Sequence, residues 1–272
     1  MKMRYIIYLF ILVYLVGSCK KEATNPYFDD KPVVAAYLKE GDTARLNISR
    51  LSPFASNTTY SADDINALQI AMQVNDTGTY TLTALGNGNY KASNPLLKIK
   101  QGFQYSLRFN YNGKVVSAST TIPTKPTGFT LSVPSFSLTQ ITPTTPASSY
   151  SLLPDPLQIT WANNDNSYYM ILVENIETSP VLINTTTDGP VRTFRNAPVQ
   201  TNTYQVRPGQ FHYFGWHRII LYHLNADYAA LYSASNNNSN NLADSPSGIS
   251  NGAGIFTGMN SDTLLFKVVK LQ

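Results

Sequence analysis

The sequence predicts an all-β protein with two tandem β-sandwich domains, and three observations carry that prediction. Short runs along most of the chain alternate apolar with polar side chains, the period of a half-buried strand. Asn-Gly, Gly-Asn and Pro punctuate those runs at short intervals, as turns do. Tyr (18) and Phe (12) are abundant while charged residues make up only 13%, a balance that suits pleated sheet better than helix.

The chain opens MKMRYIIYLFILVYLVGSCKKE. Lys2 and Arg4 form a short positive region, Tyr5 to Val16 an apolar run, and Gly17 and Ser18 the small residues that a peptidase accepts. Twelve helical residues reach about 18 Å, short of a hydrocarbon core of about 30 Å. Residues 1–18 therefore read as a signal peptide rather than a permanent span. Cys19 is the only cysteine, so no disulfide can form within the chain. VGSC resembles the bacterial lipobox, whose cysteine receives a diacylglycerol and, after cleavage, becomes the first residue. Two or three acyl chains of the palmitate kind then hold a protein that one chain would not. Cys19 is accordingly the expected lipidation site, with ordinary secretion as the alternative. Lys20, Lys21 and Glu22 look like a thin version of the charged tag that directs such lipoproteins to the outer face of the outer membrane. The expected address is the cell outer membrane, lipid-anchored and facing the exterior, with the membrane as first partner.

Lys2 and Arg4 leave with the leader, so the formal charge of +4 falls by two. No Lys/Arg cluster of the kind that a nucleic-acid surface needs is present, and nucleic acid is excluded as a partner.

Residues 19–31 carry no periodicity and form a tether. Residues 32–123 read as an N-terminal immunoglobulin-like sandwich. VVAAYL and ARLNIS flank the turn EGDT as a first hairpin. In LQIAMQV, Leu68, Ile70, Met72 and Val74 share one face of a strand; a helix from Asp63 to Val74 is the competing local reading. YTLTAL follows, GNGNY turns the chain, and GFQYSLRF leads through Asn112-Gly113, a tight hairpin turn, into VVSASTTIP.

Residues 124–272 differ in character. Pro123, Pro126 and Pro134 suit a stiff connector into an edge strand. LQITW, the turn NNDNS and YYMILVEN resemble the second and third strands of a fibronectin type III sandwich, in which a buried Trp packs across from a strand that begins with tyrosines; a generic sandwich is the alternative. HRIILYHL is a further strand. NADYAALYSAS has Tyr228, Leu231, Tyr232 and Ser235 at helical spacing, so a short inserted helix is expected. Near the end, Gly252, Gly254 and Gly258 mark places where the backbone bends or lies close to a neighbour, and LLFKVV is the final strand.

The lipobox with KKE, VVAAYLKEGDTARLNISRL, NYNGKVVSASTTIP, YYMILVE and NGAGIFTG together resemble the Bacteroidetes lipoprotein family catalogued as domain of unknown function 4249. The resemblance runs from about residue 31 to residue 269. It implies an outer-membrane accessory lipoprotein that works beside a TonB-dependent receptor, and it implies no catalytic residue.

No GxSxG, HExxH, GxGxxG or Walker pattern occurs. His212, His217 and His223 are the only histidines. On one unbroken strand, His217 and His223 would stand about 20 Å apart, too far for one ion, so no metal site is expected. Asp29-Asp30 and Asp63-Asp64 read as tether and turn residues, which leaves a hydrolase as a remote alternative. The expectation is a non-catalytic protein without cofactor, docking to an outer-membrane receptor protein. The alternative is a carbohydrate-binding surface lipoprotein, since exposed aromatic rings could stack on a glycan. Candidate interaction residues are Tyr228, Tyr232, Ile255 and Phe256, beside the loops Thr142 to Pro156 and Asn236 to Gly252.

Overall fold

A computed structural model describes residues 30–51, 62–94, 97–146, 153–236 and 248–271. Cys19, the leader and the tether as far as residue 29 lie outside them. Contacts divide the chain into two units. One, Met1–Asp30 with Ser52–Ser56, falls almost wholly outside the described residues; the other, Lys31–Leu51 with Asn57–Gln272, holds every element described below.

Alternation builds the first strand, β1 (Pro32–Lys39), which turns Val34, Ala36 and Leu38 inward and Ala35 and Tyr37 outward. Gly41, at φ +83°, takes the turn into β2 (Arg45–Arg50). A short helix, α1 (Ala62–Asn66), precedes β3 (Ile70–Val74), β4 (Gly78–Gly86), β5 (Asn89–Ala92), β6 (Gln104–Tyr111) and β7 (Lys114–Thr121). The two local readings of residues 63–74 thus divide the segment between them. The helix buries Ile65 and stops at Asn66, whose side-chain oxygen accepts from the Gly88 N–H at 2.9 Å. From Ile70 onward, Ile70, Met72 and Val74 alternate into the core.

These strands pair antiparallel in the order β1-β2-β5-β4-β3-β6-β7. Ser117 of β7 then exchanges both backbone hydrogen bonds with Ser250, at 2.8 and 3.3 Å. The segment beyond Ser250 becomes the last strand, whose first seven residues pair in parallel with β1. The ladder therefore returns to its own beginning and rolls around one core, in which Tyr90, Tyr105, Met72 and Leu107 are buried.

The chain continues through β8 (Thr130–Leu131), β9 (Ser135–Leu138), β10 (Leu157–Thr160), β11 (Tyr168–Asn175), β12 (Thr193–Arg195), β13 (Thr203–Val206), a 3-10 turn at Pro208–Gln210, β14 (Gly215–Leu224), α2 (Ala226–Asn236) and β15 (Ala253–Lys270). One layer has the order β13-β10-β8; the other runs β12-β11-β14-β15, with β9 added in parallel to the end of β15. Three strands against five, counting β9, enclose a second core, and this is a fibronectin type III-like sandwich with α2 inserted between its last two strands. Trp161, just past β10, is buried and tilts onto Tyr169 of β11 at 5.6 Å between centroids. Phe136 meets Phe211 and Phe266 edge to face at 5.8 and 5.1 Å, the arrangement that ring quadrupoles favour.

The final strand is longer than LLFKVV: it has 18 residues. Ile255 to Gly258 are all buried, so the alternation that betrays a strand vanishes over its first part. Glycine makes the close pairing possible. A Cβ on Gly254, where φ is +97°, would stand 2.1 Å from the Val34 carbonyl oxygen, and one on Gly258 would stand 2.7 Å from that of Thr121. Ile249 and Phe256 pack into the first core while Phe266 and Val268 pack into the second. One strand thus serves both sandwiches.

Candidate binding face

Tyr37 and Lys39 lie on the outward side of β1. Position 37 is the kind of place that alternation usually gives to a polar residue, yet it holds an aromatic ring that is 48% exposed. The second group of rings comes from α2. Asn225, just before that helix, donates to Thr120 Oγ1 and to the Thr121 carbonyl, both at 2.9 Å. Asp227 Oδ1 accepts from Thr257 Oγ1 at 2.6 Å and from the Tyr228 N–H at 2.8 Å. These bonds fasten the start of α2 to β7 and to the outward side of β15.

So held, Tyr228 meets Tyr37 edge to face, with centroids 6.0 Å apart and planes at 71°. One helical turn on, the Arg195 guanidinium of β12 lies 5.8 Å from the Tyr232 ring centroid. From β14, Tyr222 carries the Lys39 ammonium over its ring, also at 5.8 Å. Burial raises the Tyr37 hydroxyl above its ordinary range, and neighbouring Tyr228 adds to this while Arg195 opposes it. Tyr222 is raised chiefly by burial, against the pull of Arg218. Both hydroxyls are therefore protonated at neutral pH. The face therefore offers four tyrosine rings with hydroxyls at their tips, two of them, Tyr222 and Tyr232, each with a cation over the ring, a surface that can stack on flat apolar groups through Tyr37 and Tyr228 and hydrogen-bond at their rims.

Of the expected interaction residues, Tyr228 and Tyr232 belong to this face. Ile255 and Phe256 do not: they are 5% and 3% exposed. Phe256 points into the first core, and Ile255 shares the side of β15 on which Thr257 bonds to α2. Residues 147–152 and 237–247 of the two expected binding loops lie outside the described residues. Tyr37, Lys39, Tyr222 and Arg195 were not singled out from sequence. The available signal was an aromatic residue at an outward position of the alternating run VVAAYLK.

Two of the three histidines serve the interior. His217 and His223 are both buried on β14. His217 Nδ1 lies 3.1 Å from the Gly215 carbonyl and Nε2 3.4 Å from the Asn175 amide nitrogen, so Nδ1 donates and Nε2 accepts in a neutral ring. Burial lowers its pKa to about 4. His223 Nδ1 bonds to the Thr124 carbonyl at 2.8 Å, and its ring stacks on Tyr169 at 4.7 Å. Neither ring is bonded to a hydroxyl or thiol. Among the described residues, no three His, Cys, Asp or Glu side chains gather as a metal site, and no helix is long and apolar enough to cross a membrane.

No family model and no curated protein matches this chain. Among solved structures it is similar to the crystal structure of chicken CNTN1 FN1-FN3 domains, at 13% identity and a TM-score of 0.26. That match covers 86% of this chain, which spans 65% of the other's length.

Proposed function

We propose that this protein is a lipid-anchored, non-catalytic glycan-binding module at the outer face of the bacterial outer membrane. The observation that carries the reading is the Tyr37–Tyr228 pair, exposed at Tyr37 and half-buried at Tyr228, fixed by strand pairing on one side and by Asn225 and Asp227 on the other. Rings that are rigid, half-wetted and tipped with hydroxyls bind sugar faces at little entropic cost. The anchor is Cys19, supported by VGSC behind a positive, apolar leader too short to span. The resemblance to domain of unknown function 4249 supports an accessory role beside a TonB-dependent receptor, to which a captured glycan would be passed.

A panel of neutral, carboxylated and sulfated polysaccharides, presented to the mature protein, tests the binding role. Saturable binding that falls at least about tenfold in Tyr228→Ala or Tyr37→Ala, a loss of about 1.4 kcal/mol, is expected. Undiminished binding in both variants would remove the face from consideration, and saturable hydrolysis would overturn the non-catalytic reading. Metabolic labelling with a fatty-acid analogue should mark the wild type and not Cys19→Ala.

A further inference from the structure

We infer that the glycan taken by this face is acidic, a polysaccharide bearing carboxylate or sulfate groups; the inference rests on the glycan reading above. Tyr37 borders a hollow of about 430 Å³ whose wall also holds Lys39, Asp42, Thr43, Arg45 and Lys98. Three cations thus face one carboxylate. Tyr37 and Arg45 also line a second hollow of about 430 Å³ with Leu85 and Asn89, so an extended ligand can cross from one to the other along them. Lys91 pairs with Arg45 across β2 and β5 and continues the basic row, and Arg195 closes the opposite end above Tyr232.

The charges on this row have no ion-pair partner among the described residues, whereas three cations elsewhere do. Arg50 pairs with Asp64, Lys125 with Asp262 and Arg218 with Glu174. Lys39, Arg45, Lys91, Lys98 and Arg195 form no ion pair with a carboxylate among the described residues; Lys98 donates only to Thr43 Oγ1, at 3.2 Å. A guanidinium fork matches carboxylate and sulfate oxygens in pairs, and adjacent rings supply the stacking surface that a sugar needs. A bare anion would use the cations alone, and a neutral glycan the rings alone. The combination selects a sugar that carries its own negative charge.

The test compares polygalacturonate with its fully methyl-esterified form, which replaces each carboxylate by a neutral methyl ester, using the mature protein in detergent. Preferential binding of the acid form is expected, weakening as salt rises from about 0.05 to about 0.5 M. Arg45→Gln should reduce it about tenfold, while Arg108→Gln, an exposed cation of β6, leaves it within about twofold. Heparin and alginate extend the comparison to sulfate and to other uronates. Equal binding of acid and ester, or of neutral and acidic members of the panel, overturns the acidic preference and leaves glycan binding standing. Equal losses in Arg45→Gln and Arg108→Gln show unspecific charge attraction and also overturn it. Binding only to vesicles of anionic phospholipid would assign the row to a membrane surface instead. Failure to bind any polysaccharide removes this inference and the proposed function together.

Discussion

Acid should loosen the second sandwich through one histidine. His217 is 3% exposed and packs edge to face on Phe211 at 5.1 Å, and its Nε2 accepts from Asn175. That amide nitrogen also donates to the Phe214 carbonyl at 3.1 Å. Burial away from water disfavours the charged ring and lowers its pKa to about 4 in the folded protein, against about 6.5 in an unfolded chain, and a proton on Nε2 would also set donor against donor at Asn175. Above about pH 6.5, both states hold a neutral ring and the contribution is complete. As pH falls below that value, the unfolded state takes up a proton that the folded state refuses. Stability then drops by about 1.4 kcal/mol per pH unit until the folded ring also protonates near pH 4, a loss of about 3 kcal/mol in all. Against a total of about 5–15 kcal/mol for a domain, this moves a urea midpoint visibly. The only tryptophans are Trp161 and Trp216, both in the second sandwich, so fluorescence reports the relevant core. Urea curves for wild type and His217→Phe, recorded from pH 7 to pH 4, should show the wild type losing about 3 kcal/mol of stability relative to the variant. Curves that fall in parallel would refute the reasoning.

Two further perturbations address the seam between the sandwiches. Gly254→Val places a side chain at φ +97° and within 2.1 Å of the Val34 carbonyl; backbone strain alone costs about 1–3 kcal/mol, and hydrogen exchange should show β1 amides losing protection ahead of those in β11. Protection retained in β1 would mean that the parallel pairing adds little. Asn225→Ala removes the donors to Thr120 and Thr121 and should cost about 1–3 kcal/mol, with α2 amides exchanging faster than β14 amides; uniform loss across both would refute local anchoring.

The parts of the fold legible in sequence are those whose environment is one-sided. β6 and β7 declare themselves because Tyr105, Leu107, Phe109 and Tyr111 are buried while the residues between them are wetter, and Asn112 and Gly113, at φ +47° and +76°, take the hairpin turn that their identities announce. α2 is visible because Tyr228 and Tyr232 fall one turn apart. The first part of β15 is not legible: Ile255 to Gly258 are enclosed on both sides, by the first core and by α2, and its glycines look like loop residues until Val34 and Thr121 are seen to crowd them. α1 and β3 share apolar residues whose spacing fits either period over so short a stretch. Half of the site was hidden for the same reason. Tyr37 meets Tyr228 only because β15 pairs in parallel with β1, a contact between distant segments that no local pattern encodes.

That pairing makes the binding face dependent on the seam. Tyr37 is held by the first sandwich through β1, and Tyr228 by the helix inserted in the second, pinned through Asp227 to Thr257 of β15. In the parallel register Tyr37 stands beside Thr257 itself, so a shift of β1 against β15 by one residue would move the ring by about 3.3 Å and turn it to the opposite side of the sheet. Gly254 sits three residues along that same register, opposite Val34. Its substitution by Val should therefore weaken glycan binding as well as stability, although it touches no ligand. The two effects separate by temperature: at a temperature where the variant remains folded by tryptophan fluorescence, binding should already be reduced about tenfold, as in Tyr228→Ala. Wild-type affinity in a variant whose β1 amides exchange freely would show that Tyr37 does not share the site with Tyr228, and the face would shrink to the rings of α2 and β14.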